Sequence, residues 1–233
     1  QDSLDNTGKT YRTKMANLLA LARVLPRRGS LPVLNTVVTP RNIGEILDII
    51  DFAEEIGFFV SLIPIHLAAT ASDEHRFYSG DEALRFGPRD ERRGRTVYRD
   101  IIRLKRRGAR IVNSTAFLRK SPDYLINGSA SWPCRAGEQF LSVSPDGLIS
   151  PCHAFEGEWG IDHREFEQRF ATAEYRTEVR QRAAGCEGCF RPCWAEIGLL
   201  MGRPDSLLEM ARSQLSARRR RPDVNERAIV HHL

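Results

Sequence analysis

The stretch "LPVLNTVVTPRNIGEILDIIDFAEEIGFFVSLIPI", residues 31–65, decides the fold class. It opens on "LPVLNTVV" (31–38), a short β-branched apolar run that suits a strand buried on both faces. "NIGEILDIIDFAEEIG" (42–57) then changes period. Ile43, Ile46, Leu47, Ile50 and Ala53 fall on one helical stripe. Asn42 is placed to cap the start, with Glu45 three residues on, and Gly57 to close the last turn. "FFVSLIPI" (58–65) is a second buried strand. Strand, helix and strand in this order predict a parallel, right-handed βαβ unit. Ligands of such sheets gather at the C-terminal ends of the strands. Asp5, Asn6, Thr39, Pro64 and His66 are therefore expected near any site.

The same alternation extends outward. "YRTKMANLLALARVL" (11–25) carries Met15, Leu18, Leu19, Ala22 and Leu25 on one helical face. Residues 71–95 are polar and read as a loop with room for one short helical segment. Ile101, Ile102, Leu104 and Lys105 predict a helix ending at Gly108, followed by "ARIVNS" as a strand candidate. "TAFLRKSPDYLIN" (115–127) reads as a helix broken or re-entered at Pro122. The texture changes from Trp132, which places a domain boundary near residue 129. "FLSVSPDGLISPC" (140–152) predicts a hairpin, with Pro145-Asp146-Gly147 supplying the bend and the residue that tolerates positive φ. One or two helices follow Cys193, around Gly202-Arg203-Pro204, and residues 216–233 are expected to form a disordered basic tail.

Composition narrows the function classes. With 41% hydrophobic and 28% charged residues the chain is an ordinary globular one. No apolar run reaches the roughly 18 residues of a membrane span, and no signal peptide is visible. The first residue is not Met, so a fragment or a processed chain is expected. The formal charge of +5 is concentrated in "RDERRGR" (89–95), "RLKRRGAR" (103–110) and "SARRRRPD" (216–223). Such runs bind phosphates in some proteins, and more often are solvated surface. No aromatic residues interleave with them for base stacking, so nucleic-acid binding ranks low.

Five cysteines carry the chemistry: Cys134, Cys152, Cys186, Cys189 and Cys193. An odd count without a secretory signal argues against a disulfide framework and for metal ligation in a reducing cytoplasm. Seventeen residues separate Cys134 from Cys152, and the hairpin turns the chain back between them. Cys186-x2-Cys189 is the tight pair that wraps a metal. Four thiolates from two segments suit tetrahedral zinc or an iron–sulfur cluster. Zinc usually takes two tight knuckles, whereas only one is present, so the spacing prefers iron–sulfur and leaves zinc as the rival. Five thiols can ligate at most one fully cysteine-held four-iron cluster, with Cys193 as the spare.

At this point the pattern resembles a known family. Cys134-x12-Gly147-x4-Cys152, followed by Cys186-x2-Cys189, is similar to the twitch or SPASM-type auxiliary domain of radical SAM enzymes. "DSLDN" (2–6) resembles the fourth barrel strand of that family, residues 34–58 its fifth strand and helix, and "VSLIPIH" its sixth strand. The family's Cys-x3-Cys-x2-Cys loop and Gly-Gly-Glu segment are not found in this sequence. The resemblance implies an α/β fold: the C-terminal half of a partial (β/α)6 barrel (1–128), then a small α+β iron–sulfur auxiliary domain (129–215). It implies a 4Fe-4S cluster on the cysteines and S-adenosylmethionine as cofactor of the full-length protein, with Ser3, Asp5 and Asn35 near that cofactor. The full-length enzyme would abstract a substrate hydrogen with a 5′-deoxyadenosyl radical. The residues here, alone, would be inactive and poorly soluble. Implied partners are a small-molecule or peptide substrate and an electron donor such as flavodoxin or ferredoxin.

The remaining candidates have plainer readings. His66 stands at a strand end, where a single histidine is more often structural. His153 adjoins Cys152, Asp146 is a turn residue, and His231 and His232 belong to the tail. Trp132 and Trp194 are expected to shield the cysteines by packing. The alternative function is a zinc-binding or interaction module on an α/β scaffold.

Overall fold

The computed structural model describes residues 10–25, 30–66, 82–128, 131–152, 159–186, 189–202 and 204–219. They form a mixed α/β structure. Helix α1 (Thr10–Ala22) precedes strand β1 (Val33–Val38), helix α2 (Ile46–Glu55) and strand β2 (Phe59–Pro64). The two strands pair in parallel, with Val33 opposite Phe59 and Asn35 opposite Ser61. The βαβ reading of residues 31–65 is therefore present in the structure. Alternation along the strands sorts their side chains. Leu34, Val38, Val60 and Leu62 pack into the main core with Ile43, Ile46, Ile50 and Ala53 of the α2 segment. Asn35 and Val37 are exposed on the opposite face.

Asn42 does not cap α2. Its side-chain oxygen accepts from the Thr39 N–H (2.9 Å) and its amide donates to the Val37 carbonyl (2.7 Å), so it folds the turn that leaves β1. Helix α2 begins four residues later, after Glu45, which makes no side-chain cap. Gly57 takes φ +75° and ends the helix as expected.

Helix α3 (Pro88–Arg106) corrects the loop reading of residues 89–95. Pro88 occupies the first turn, where its missing N–H costs nothing. The Asp90 carboxylate accepts from the Gly87 N–H (2.9 Å) and closes the start. The "ARIVNS" segment follows, and it touches β2 by one parallel bridge, Val60 to Ile111. Its ladder continues through a side chain. The buried Asn113 amide accepts from the Leu62 N–H (2.7 Å) and donates to the Leu62 carbonyl (3.2 Å), replacing a backbone pair while the chain turns into helix α4 (Thr115–Asn127).

Pro122 lies inside α4 and does not break it. The helix is held by Ser114, whose hydroxyl caps Phe117 N, and by Ser121, which donates to the Phe117 carbonyl (3.0 Å). It ends at Gly128, with φ +73°.

A second layer follows. Strands β3 (Ser142–Val143), β4 (Leu148–Ser150) and β5 (Ile161–Asp162) form an antiparallel sheet in that order. The β3–β4 hairpin matches the sequence reading, whereas β5 was not foreseen. Helices α5 (His163–Phe170) and α6 (Ala173–Ala184) cover it, with Ile161, Tyr175 and Val179 as its small core. Helices α7 (Pro192–Met201) and α8 (Pro204–Arg219) sit on either side of the expected Gly202-Arg203-Pro204 break. Residues 216–219, the first part of the expected tail, continue α8; residues 220–233 lie outside the described residues.

The expected boundary near residue 129 is bridged by packing. Phe117 and Tyr124 of α4 share one buried cluster with Phe190, Ala195 and Leu199. No helix among the described residues is long and apolar enough to cross a membrane.

Candidate metal centre

The hairpin that separates Cys134 from Cys152 is built from local rules. Ser144 N donates to the Leu148 carbonyl (2.9 Å) and Gly147 N to the Ser144 carbonyl (3.0 Å). Gly147 takes φ +84°, a region that strongly favours glycine. The Ser144 hydroxyl donates to Asp146, which holds that carboxyl below its ordinary range. Asp146 is thus a turn residue. At the base, Gly137 N donates to the carbonyls of Phe140 (2.9 Å) and Pro151 (3.1 Å). Gly137 has φ +74°, and a Cβ there would lie 2.7 Å from Val179 Cγ1. This close approach brings the Cys134 segment against Pro151, the neighbour of Cys152.

The second cysteine segment is strapped to the first. The Trp132 indole N–H donates to the Cys189 carbonyl at 2.6 Å. Phe140 and Trp194 stack with centroids 5.3 Å apart, and the Arg191 guanidinium lies 5.6 Å from the Trp194 ring centre. Gly198 of α7 admits the Pro133–Trp132 segment so closely that a Cβ would sit 2.6 Å from the Pro133 carbonyl oxygen. Between the cysteines, Phe190 is fully buried and stacks on Phe117 (4.4 Å) and Tyr124 (5.6 Å). Trp132 thus meets the second cysteine segment directly, while the Trp194 ring packs on Phe140.

The thiols register one another. Burial pushes Cys189 up to about 11, and the charges of Cys134 and Cys186 push in the same direction. Cys134 is raised by burial first and by Cys186 in addition. Residues more than fifty positions apart in sequence are thus within electrostatic reach. Cys152 is buried at the hairpin end, and none of the five is in a disulfide. Cys193 is exposed on the first turn of α7; burial raises it, Arg191 opposes, and no other cysteine acts on it. The donor set is thiolate-rich, and the Trp132–Cys189 bond brings the two cysteine segments together. Among the described residues, no three His, Cys, Asp or Glu side chains close on a single point as one bound ion requires.

Of the other anticipated residues, Asn35 stands on the uncovered face of β1, beside Ser61 of β2. Ser3, Asp5, Asn6, His153, His231 and His232 lie outside the described residues. His66, just past β2, pairs through Nδ1 with the Tyr124 hydroxyl at 2.8 Å. That bond links the end of the parallel strands to α4, and through Tyr124 to Phe190.

A buried polar group at the end of the third strand segment was not anticipated. Glu196 of α7 accepts from the Ser114 N–H (2.9 Å), and Glu209 of α8 from the Thr115 hydroxyl. Lys105 is buried and donates to the Ile111 carbonyl (2.9 Å). Burial raises Glu196 and lowers Lys105, each opposed by the attraction between them. These bonds fasten α7 and α8 to the α/β half. The sequence signal for them was weak: a lone Glu in an apolar helix, "WAEIGLL", and a lone Phe in a polar loop, "CFRPC".

No family model matches the chain, and no curated protein is detectably similar to it in sequence.

Proposed function

We propose that this chain carries the C-terminal part of a radical SAM oxidoreductase or maturase. In this reading Cys134, Cys152, Cys186 and Cys189 hold an auxiliary 4Fe-4S cluster, and Cys193 is the spare thiol. The observation that carries it is the 2.6 Å bond from the Trp132 indole to the Cys189 carbonyl, which straps the second cysteine segment to the first. The parallel segments β1, β2 and 110–112, in sequence order, are the partial barrel of this reading. Residues 129–215 are its auxiliary domain.

When bound, such a cluster supplies a one-electron redox centre beside a substrate. The chain's own residues prepare its place. The Trp132–Cys189 bond fixes the loop, and the Phe140–Trp194 stack limits water near the thiolates. Asn35, exposed on the open strand face, would offer its amide to S-adenosylmethionine when that cofactor is bound. The reaction is radical oxidation or maturation of a small-molecule or peptide substrate, with electrons from a donor such as flavodoxin or ferredoxin, in the reducing cytoplasm.

Anaerobic purification followed by iron and sulfide analysis tests this. The expected result is a brown protein with about four iron and four sulfide per chain. A colourless protein with one zinc, or with no metal after reconstitution, would overturn it in favour of a zinc-binding or interaction module.

A further inference from the structure

Helix α3 carries seven arginines and one lysine against three carboxylates, so its excess alone equals the formal charge of the whole chain, +5. The structure adds how these charges are arranged. Gly94, Val97, Tyr98, Ile101 and Lys105 are the buried side of the helix. At 100° per residue, Arg92, Arg99, Arg103 and Arg106 fall on the opposite side within an arc of about 60°. All four are exposed. From Arg92 to Arg106 there are fourteen helical steps, a straight ridge about 21 Å long at 1.5 Å per residue.

The flanks of the ridge are held in place. Asp100 on one side holds the ridge residue Arg103 (2.7 Å), and on the other Arg95 bonds Glu91 (3.0 Å) and Asp123 (2.8 Å). Arg92, Arg99 and Arg106 have no acidic partner among the described residues. The charge is thus a line of exposed guanidinium groups along one helix face with a carboxylate margin.

We propose that this ridge docks an acidic protein surface. Guanidinium forks bind carboxylates through paired hydrogen bonds. A single helix ridge gives a small footprint, of the kind used by transient, electrostatically steered partners. A nucleic acid fits less well. The only aromatic residue of α3, Tyr98, is buried, so the ridge offers no aromatic ring for base stacking. Glu91, Asp100 and Asp123 would also repel a continuous row of phosphates, whereas discrete carboxylates can fall between them. The inference is independent of the cysteine reading.

The test is fluorescence anisotropy of the full chain with a labelled oligoglutamate peptide and with duplex DNA of equal charge, at several salt concentrations. The triple variant Arg92→Glu, Arg99→Glu, Arg106→Glu should bind the peptide about tenfold or more weakly. A control variant of equal charge change, Arg12→Glu, Arg164→Glu, Arg176→Glu, replaces exposed arginines elsewhere and should lose much less. Circular dichroism should match for all three proteins, since every replaced side chain is exposed. Equal losses in both variants would reduce the effect to net charge and refute the ridge. Tighter binding of DNA than of the peptide, lost with the ridge variant, would refute the acidic-protein partner.

Discussion

Phe190 is the side chain through which the cysteine loop is anchored to the α/β half, and its removal should be costly. Its ring is fully buried and stacks on Phe117 at an interplanar angle of 8°. It also stacks on Tyr124, which in turn bonds His66. Replacing a buried Phe by Ala loses the transfer free energy of the ring and leaves a cavity, together about 3–5 kcal/mol. Two ring partners and a cluster drawn from two layers argue for the middle of that range, about 4 kcal/mol. A urea slope of about 2 kcal/mol/M converts this into a midpoint about 2 M lower. Phe190→Leu, which fills most of the space, should cost less than about 2 kcal/mol. The assay is equilibrium urea unfolding followed by tryptophan fluorescence and far-ultraviolet circular dichroism. The control is Val143→Ala, because Val143 is 64% exposed and should change little. A midpoint for Phe190→Ala within about 0.5 M of the parent would refute the idea that this ring anchors the loop.

Other perturbations have equally definite outcomes. Asn113→Ala orphans the buried N–H and carbonyl of Leu62, and at about 1–3 kcal/mol per orphaned group should lower stability by roughly 2–5 kcal/mol in the same unfolding assay. Gly137→Ala forces a side chain into a φ of +74° and against Val179; a loss of about 1–3 kcal/mol is expected, with weaker metal retention on dialysis against a chelator. Glu196 keeps its proton to higher pH in the folded state than in the unfolded one, so its contribution is fully present below the unfolded carboxyl pKa and is lost as pH rises through the folded value. Urea midpoints across that window should fall less steeply with pH in Glu196→Gln than in the parent. Mild oxidation of the metal-free protein should join Cys134 to Cys186 or Cys189, as read by peptide mass mapping, and should leave Cys193 alkylatable.

The sequence made the βαβ unit and the hairpin legible because both are written in local signals. The stripe from Ile43 to Ala53 and the Pro145-Asp146-Gly147 bend each specify their geometry within a dozen residues. Helix α3 was obscured because its first turns are almost all charged, so the apolar stripe begins late, at Val97. The cue that remained was Pro88 followed by Asp90 at the helix start. Asn42 reads as a helix cap because a capping amide and a turn-forming amide look alike in sequence, and only tertiary context tells which carbonyl it meets. Pro122 survives inside α4 because that helix is packed on α3 and, to a lesser extent, on α7, which compensates one lost backbone bond.

The candidate site divides in the same way. The cysteine spacing was readable, since it is a pattern of one residue type. The Trp132–Cys189 bond, the Phe190 plug and the Glu196–Ser114 bond join residues 57 to 82 positions apart, or depend on packing that no local pattern encodes. A cofactor role for Asn35 rests on the family resemblance and has no local signal of its own. Its place on the open face of β1 follows from strand alternation alone.

The central claim is that four specific thiols surround one cluster, and replacing each cysteine by serine tests it most directly. Iron per chain would be measured after anaerobic reconstitution of all five variants. A clear loss is expected for Cys134→Ser, Cys152→Ser, Cys186→Ser and Cys189→Ser, with Cys193→Ser retaining the parent's iron. Unchanged iron in any of the first four, or loss confined to Cys193→Ser, would contradict it.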